Sequence, residues 1–364
     1  MVRVLQTSIG NASSVHLDGQ RAKADIDEAR TAVAGLIGAE ASELVFTSGG
    51  TESDNLAVRG AAEVLAGSKR RHLIASAIEH EAVLNTVRAL GKRGWDVSWL
   101  PVDADGVVRV SDLVALLRPD TALVSVMHAN NEVGTVQPIA ELAATARAAG
   151  AWFHTDAVQT AGKLPVDVSA LGVDLLSVSA HKFGGPKGAG ALWIRRGVRL
   201  TPCLTGGRQE RGRRAGTENV AAIAGFGAAA RHAAAHIDTD APRTARLRDR
   251  LELGILSTVP DTSVNGGSAP RVPNTTNVAF AGVEAEALLM ALDLEGVAVS
   301  TGSACSSGTL EPSHVLRAMG LAGARAQDAL RFSLGSATTE DEIDRVLERL
   351  PRLVRRLRDL RGRG

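Results

Sequence analysis

Through the first two-thirds of the chain, short apolar stretches alternate with longer ones of helical spacing. "AKADIDEARTAVAGLIGA" has apolar residues at helical intervals and stops at Gly38. "ELVFTS" predicts a short strand, and "ESDNLAVRGAAEVLAG" a helix closed by Gly67. "RHLIAS" predicts a strand and the chain from about Glu81 a helix; "TALVSVMH" predicts a strand, and "IAELAATARAAG" a helix between Pro138 and Gly150. "AWFHTD", "DLLSVSA" and "GALWIR" complete the strands. Several are apolar throughout, as strands covered on both faces are, so the pattern predicts an α/β domain with a mostly parallel sheet.

After about residue 235 the pattern changes. "TARLRDRLELGILSTV" and "EAEALLMALDLEG" predict helices; "TTNVAFAG", "VAVSTG" and "LRFSLG" predict strands. Thr339 with Glu342 forms a capping box for a last helix. Residues 236–364 therefore read as a smaller α+β C-terminal domain behind a large domain over 10–235.

Composition narrows the function. The net charge of +1 offers no general attraction to nucleic acid or acidic membrane. Aromatics are 3% of residues and tyrosine is absent, which disfavours stacking platforms for single strands. Two distant cysteines, Cys203 and Cys305, make no disulfide framework or metal clip, which suits a reducing cytoplasm. The longest apolar run, Val220 to Ala230, is too short to span a bilayer, and "MVRVLQTSIGNASS" lacks the apolar region of a secretory signal.

In parallel sheets the functional loops leave the carboxyl ends of the strands. Those positions hold Ser48-Gly49-Gly50-Thr51, Glu79-His80, Asn130-Asn131, Asp156 and Lys182. The glycines ahead of a helix can cradle a phosphate, or can be a capped turn with Thr51 as N-cap and Asp54 three residues on. His80 reads as a local cap or as a ring-stacking imidazole. Asp156 reads as an N-cap or as the partner of a cationic ring nitrogen. Lys182 follows a strand expected to be central, where partial desolvation lowers a lysine's pKa and makes it a nucleophile toward carbonyls. Together the set fits pyridoxal 5'-phosphate, whose phosphate, ring nitrogen, ring face and aldehyde each need one such partner. Cys305, among small polar residues in "STGSACSSGTLEPSH", reads as a reactive thiol on a mobile exposed loop, and Cys203, among apolar neighbours, as a structural one.

The motifs "FTSGGTESDN", "EHEAV", "NNEVG", "HTDAVQ", "SAHKFGGPKG", "RAGTEN" and "GSACSSG" occur in this order between Gly10 and Gly335. In them the sequence resembles the cysteine desulfurases of the NifS and IscS type, fold-type-I pyridoxal phosphate enzymes of the class V aminotransferase superfamily. The resemblance implies that Lys182 links to the cofactor and moves the proton at the substrate Cα. His80 stacks on the ring, Asp156 holds the ring nitrogen, and Gln159 bonds the ring oxygen. Gly50, Thr51, Ser179, Ala180 and His181 hold the phosphate, joined by Thr217 of the partner subunit in a homodimer. Asn131 lies beside the cofactor and with Arg331 grips the substrate carboxylate.

L-Cysteine then yields L-alanine and a persulfide on Cys305, for a protein acceptor such as an iron–sulfur scaffold or a tRNA-thiolation protein. The resemblance implies no resident metal, with Cys305 a transient Fe–S ligand during handover. Selenocysteine lyases and class V aminotransferases share the rim and are the alternatives. The family opens with a "YLDNAAT"-like strand and helix, whereas "MVRVLQTSI" precedes Gly10, so residues 1–9 read as a remnant of a shortened segment, and an inactive scaffold is a further alternative. "SAHK" stands where "SGHK" is commoner. The C-terminal "RLPRLVRRLRDLRGRG", with seven arginines against one aspartate, reads as a dock for an acidic scaffold protein or tRNA, or as a solvated helix end.

Overall fold

The computed structural model describes residues 1–8, 10–301, 313–321 and 324–361, with backbone only at 324 and 325. The chain divides into two compact units. The first comprises Met1–Leu100, Arg109–His128 and Gln137–Ile237; the second comprises Pro101–Val108, Ala129–Val136 and Asp238–Gly364. Two short insertions read from the sequence as part of the large domain thus group with the C-terminal unit, taking Asn131 with them.

The first unit is built on seven strands: β1 (Leu44–Thr47), β2 (His72–Ser76), β3 (Asp96–Leu100), β4 (Thr121–Ser125), β5 (Trp152–Asp156), β6 (Leu175–Ser179) and β7 (Gly190–Ile194). Their spatial order is β1-β7-β6-β5-β4-β2-β3. Strand β7 runs antiparallel to both neighbours and the other pairings are parallel. Every residue of β2, β4, β6 and β7 is buried, which is why they read as unbroken apolar runs. Val45, Leu73, Leu123, Leu175 and Leu192 pack against Leu56, Val83 and Val87 of the covering helices. Because β1 and the parallel strands end at one rim, Thr47, Gly190 and Ser179 fall opposite one another there.

The second unit contains a three-stranded antiparallel sheet, β10-β9-β8, of β8 (Thr262–Asn265), β9 (Thr275–Phe280) and β10 (Ala329–Ser333). One face of it, Val278, Phe280, Leu330 and Phe332, packs on Leu251 and Ile255, on Leu288 and Leu292, and on Leu350 of the last helix. Of the stretch "VAVSTG", residues 297–301 are not a strand: among them Ser300 alone makes a bridge, to Arg331. A single helix, Val220–Thr258, covers both the apolar run and the charged helix read separately from the sequence. The last helix, Glu340–Arg361, opens with the expected capping box, Thr339 N–H donating to Glu342 at 2.9 Å and Glu342 N–H to Thr339 Oγ1 at 3.3 Å. Several of its arginines are structural: Arg358 donates to the carbonyls of Ala281 and Pro260, and Arg352 pairs with Glu295. Among the described residues, no helix is long and apolar enough to cross a membrane.

Candidate active site

The rim of the large sheet begins at the N-terminus of the Gly50–Ala66 helix. Its N-cap is Gly49, not Thr51 as expected; Thr51 lies in the first turn, exposed. Glycine is required here by close approach. A Cβ on Gly190 would lie 2.6 Å from Gly49 Cα, and one on Gly50 would lie 2.9 Å from a Val158 methyl. The loop thus lies flat against the sheet end, with the backbone N–H groups of a long helix at an open rim, a setting that binds anions.

Beside it, Ser179 ends β6 and its hydroxyl lies 2.9 Å from His181 Nδ1. Burial, then the positive charges of Lys182, Lys187 and Lys163, hold His181 below the usual histidine range. Three lysines around a neutral imidazole and a helix N-terminus form a field that suits a phosphate. Ala180 is buried, and Gly185 packs so closely that a Cβ there would lie 2.8 Å from the Ala180 methyl. Lys182 corrects the expectation of desolvation. Strand β6 stops at Ser179, and the 3-10 turn Ala180–Phe183 lifts His181 and Lys182 to an exposed position.

Asp156 closes β5, is buried, and accepts a 2.8 Å bond from the Val158 N–H, so it caps the following turn. Burial pushes it up, and the Val158 bond and the charges of His80 and Lys182 pull it back. His80 is the N-cap of the Glu81–Gly91 helix, its Nδ1 accepting from the Ala82 N–H at 3.1 Å. The local cap is therefore real, and it fixes the tautomer, leaving the proton on Nε2. Gln159 Oε1 accepts from Lys163 at 3.1 Å, which leaves its amide N–H groups as donors. A cavity of about 480 Å³ includes Thr51 and His80 in its wall.

Behind Asp156 lie titratable groups to which the sequence assigns no chemistry. His154, two residues back on the same face of β5, is fully buried, bonded to Ser125 and Ser177, and pushed by burial down to about 3. Asp54 lies 3.6 Å from His154; burial, then the charge of Asp156, hold it well above the usual carboxylate range. Glu79 accepts from the Met127 N–H at 2.7 Å, and burial pushes it up to about 8. Of these buried carboxyls, Asp156 is the one at the strand end and feels the charges of His80 and Lys182, and a protonated ring nitrogen is the charge such a carboxylate needs. On donor set and packing, the residues fit pyridoxal phosphate.

Glu79 has a consequence for stability. The folded chain keeps a proton there that the unfolded chain releases above about 4.5. The stabilisation is present below that pH and is lost as pH rises toward about 8. Glu79→Gln cannot ionise, so its melting temperature is expected to decline less than that of the wild type between about pH 5 and 8. Parallel decline in thermal melts would contradict the assignment.

In the second unit, Asn131 and Arg331 are brought together: Arg331 Nη1 donates to the Asn131 carbonyl at 2.9 Å. Thr217 is exposed in the first unit, where the neighbouring Arg214 pairs with Glu52 at 2.8 Å. Cys305 lies outside the described residues. Cys203 does not: its thiol is half-buried, lies 3.6 Å from the Asn55 carbonyl, and is pushed up by burial, which makes it a poor nucleophile. Cys203→Ser is expected to keep the activity that the resemblance implies, sulfide release from L-cysteine, within about twofold of wild type, as a substitution away from the chemistry does; loss of most sulfide release would make Cys203 the reactive thiol.

The class-V aminotransferase family profile matches residues 1–346. The cysteine desulfurase IscS of Dictyoglomus turgidum is 49% identical over 98% of this chain and 90% of its own length. A cysteine desulfurase of Nostoc sp. is 50% identical over 96% and 87%. Among solved structures, a NifS-like protein superposes with a TM-score of 0.90 at 37% identity, covering 98% of this chain and 94% of its own. SspA in complex with cysteine superposes at 0.80 with 36% identity, covering 93% and 96%. With this rim, and this similarity along nearly its whole length, the chain belongs to the pyridoxal phosphate-dependent cysteine desulfurases of the class-V aminotransferase family.

Proposed function

We propose that this chain removes sulfur from L-cysteine, releasing L-alanine and leaving a persulfide on Cys305. The observation that carries the reading is the buried Asp156, within the fields of His80 and Lys182, beside a glycine-lined helix N-terminus and the His181 on which three lysine charges act. Gly50, Thr51, Ser179, Ala180 and His181 hold the phosphate; Asp156 holds the ring nitrogen, His80 the ring face, and Gln159 the ring oxygen. Bound pyridoxal phosphate supplies the electron sink for the pair left at the substrate Cα.

Lys182, on an exposed turn, would anchor the cofactor and take the Cα proton. Arg331 and Asn131 orient the substrate through its carboxylate. Cys305 as thiolate attacks the substrate sulfur; an S–S bond forms, the C–S bond breaks with its electron pair going to carbon, and Lys182 returns protons as L-alanine leaves. Thr217 of the partner subunit completes the phosphate site in a homodimer. The persulfide passes to a protein acceptor, an iron–sulfur scaffold or a tRNA-thiolation protein, in the cytoplasm, where a free thiol persists.

The test is to add L-cysteine to the purified, cofactor-loaded protein under reductant. Sulfide and L-alanine in equal amounts support the reading. Transamination products without sulfide would favour a class V aminotransferase in which Cys305 is incidental.

A further inference from the structure

The small sheet has one face that burial of apolar surface does not explain. Along β8, β9 and β10, alternate residues face opposite sides. Val264, Val278 and Leu330 lie opposite one another and supply the apolar face, whereas Asn265, Asn277 and Arg331 lie opposite one another in the next row. Asn265 is 3% and Asn277 0% exposed. Buried amides cost stability unless they are bonded, and apolar residues would fill the same positions without that cost. Asn265 is not even fully satisfied: its Nδ2 donates to Asn277 Oδ1 at 2.7 Å, while its own Oδ1 is buried and accepts no bond among the described residues. A row kept at such a cost calls for a purpose other than packing.

Its far end supplies one. Asn277 Nδ2 lies 3.4 Å from the Glu132 carbonyl, and Arg331 Nη1 lies 2.9 Å from the Asn131 carbonyl. Two successive carbonyls of one turn are therefore gripped by two residues directly opposite each other on adjacent strands. The turn is fixed from within as well: Asn130 Oδ1 accepts from the N–H groups of Glu132 and Val133, and the Glu132 carboxylate accepts from Ser313 Oγ at 2.5 Å. Arg331 also exchanges two backbone bonds with Ser300.

We propose that Asn277, held by Asn265, is a positioning residue for substrate-carboxylate recognition, fixing the Asn131 turn on which the Arg331 guanidinium is braced. The proposal rests on the reading of Arg331 and Asn131 as the carboxylate site. Arginine recognises a carboxylate through paired N–H bonds of fixed geometry, and displacing such a group by about 1 Å costs on the order of a hundredfold in rate. A brace two strands deep holds the fork without touching the substrate.

The experiment compares L-cysteine with L-cysteine methyl ester, which lacks the carboxylate charge, as substrates of the cofactor-loaded enzyme. Arg331→Ala, Asn277→Ala and Asn265→Ala are measured beside wild type, with melting temperatures. Asn277→Ala is expected to raise KM for L-cysteine about tenfold while kcat changes less than about threefold, and to narrow the preference for the acid over the ester by a similar factor. Asn265→Ala is expected to act in the same direction and more weakly. A purely structural role lowers the melting temperature and leaves the acid-to-ester preference unchanged, which overturns the proposal. If Asn277→Ala does not fold, Asn277→Asp, which keeps an acceptor for Asn265 and removes the donor to Glu132, reads the same preference, and an unchanged preference there is equally contrary. If Arg331→Ala itself leaves the preference intact, the carboxylate-site reading fails and the proposal with it. Narrowing in Arg331→Ala but in neither Asn277 variant overturns the proposal alone.

Discussion

A Lys182→Ala variant is expected to lose desulfuration by about 10⁴-fold, the scale of removing a positioned proton carrier that also anchors the cofactor. Lys182 leaves the strand end on an exposed 3-10 turn. It lies close enough to Asp156 to stabilise that carboxylate, and it contributes, with Lys163 and Lys187, to the positive field at His181. Those neighbours make the test specific. Borohydride, which reduces a lysine–cofactor linkage to a permanent one, is expected to label the wild type, Lys163→Ala and Lys187→Ala and to leave Lys182→Ala unlabelled. Label retained on the Lys182 variant would move the linkage to another lysine and undo the assignment of the rim.

The second large effect concerns the thiol. Cys305→Ser is expected to release at least about 10³-fold less sulfide from L-cysteine, because a serine hydroxyl is a far weaker nucleophile toward sulfur than a thiolate. The bound-cofactor spectrum is expected to be unchanged, since none of the residues assigned to hold the cofactor is altered. The chain has two cysteines in all, and the other is held half-buried with its thiol pushed up. Sulfide release surviving in Cys305→Ser, or loss of the cofactor spectrum with it, would contradict a role confined to accepting sulfur.

Much of the fold was legible because the central strands are buried on both faces. "TALVS" and "LLSVS" can hardly be anything else, and the residues that follow such strands are the rim. Where a strand is short or half-exposed the signal fades. β3, "DVSWL", has one buried residue out of five, and β8, "TSVN", has one out of four, so neither stood out. The opposite holds at "VAVSTG", where alternation suggests a strand and, among residues 297–301, Ser300 alone pairs with a strand, at Arg331. The insertions 101–108 and 129–136 group with the second unit through contacts remote in sequence, which no local pattern records.

The site shows the same division. Lys182, His80 and Asp156 were readable as polar residues at strand ends, although the exposure of Lys182 was not, because the turn that lifts it depends on Gly184 closing it with a positive φ of 85°. Asp54 sits in "TESDN", which looks like an ordinary helix start. The signal was present in the spacing: Asp54, Ala57, Val58 and Ala61 form one buried stripe, and a carboxylate in such a stripe is out of place unless it has a role. Glu79 is readable at the rim, but its burial and its bond to Met127, like the Asn265–Asn277 row, become visible only with the backbone partners and strand register that three dimensions supply.

The most direct test of the central claim is a single turnover, with cofactor-loaded protein in excess over L-cysteine, followed by mass analysis of the Cys203 and Cys305 peptides and assay of L-alanine. The account predicts one added sulfur on the Cys305 peptide, none on the Cys203 peptide, and L-alanine equal to the sulfur transferred. L-Alanine absent, or sulfur found on Cys203 with Cys305 unmodified, would contradict it.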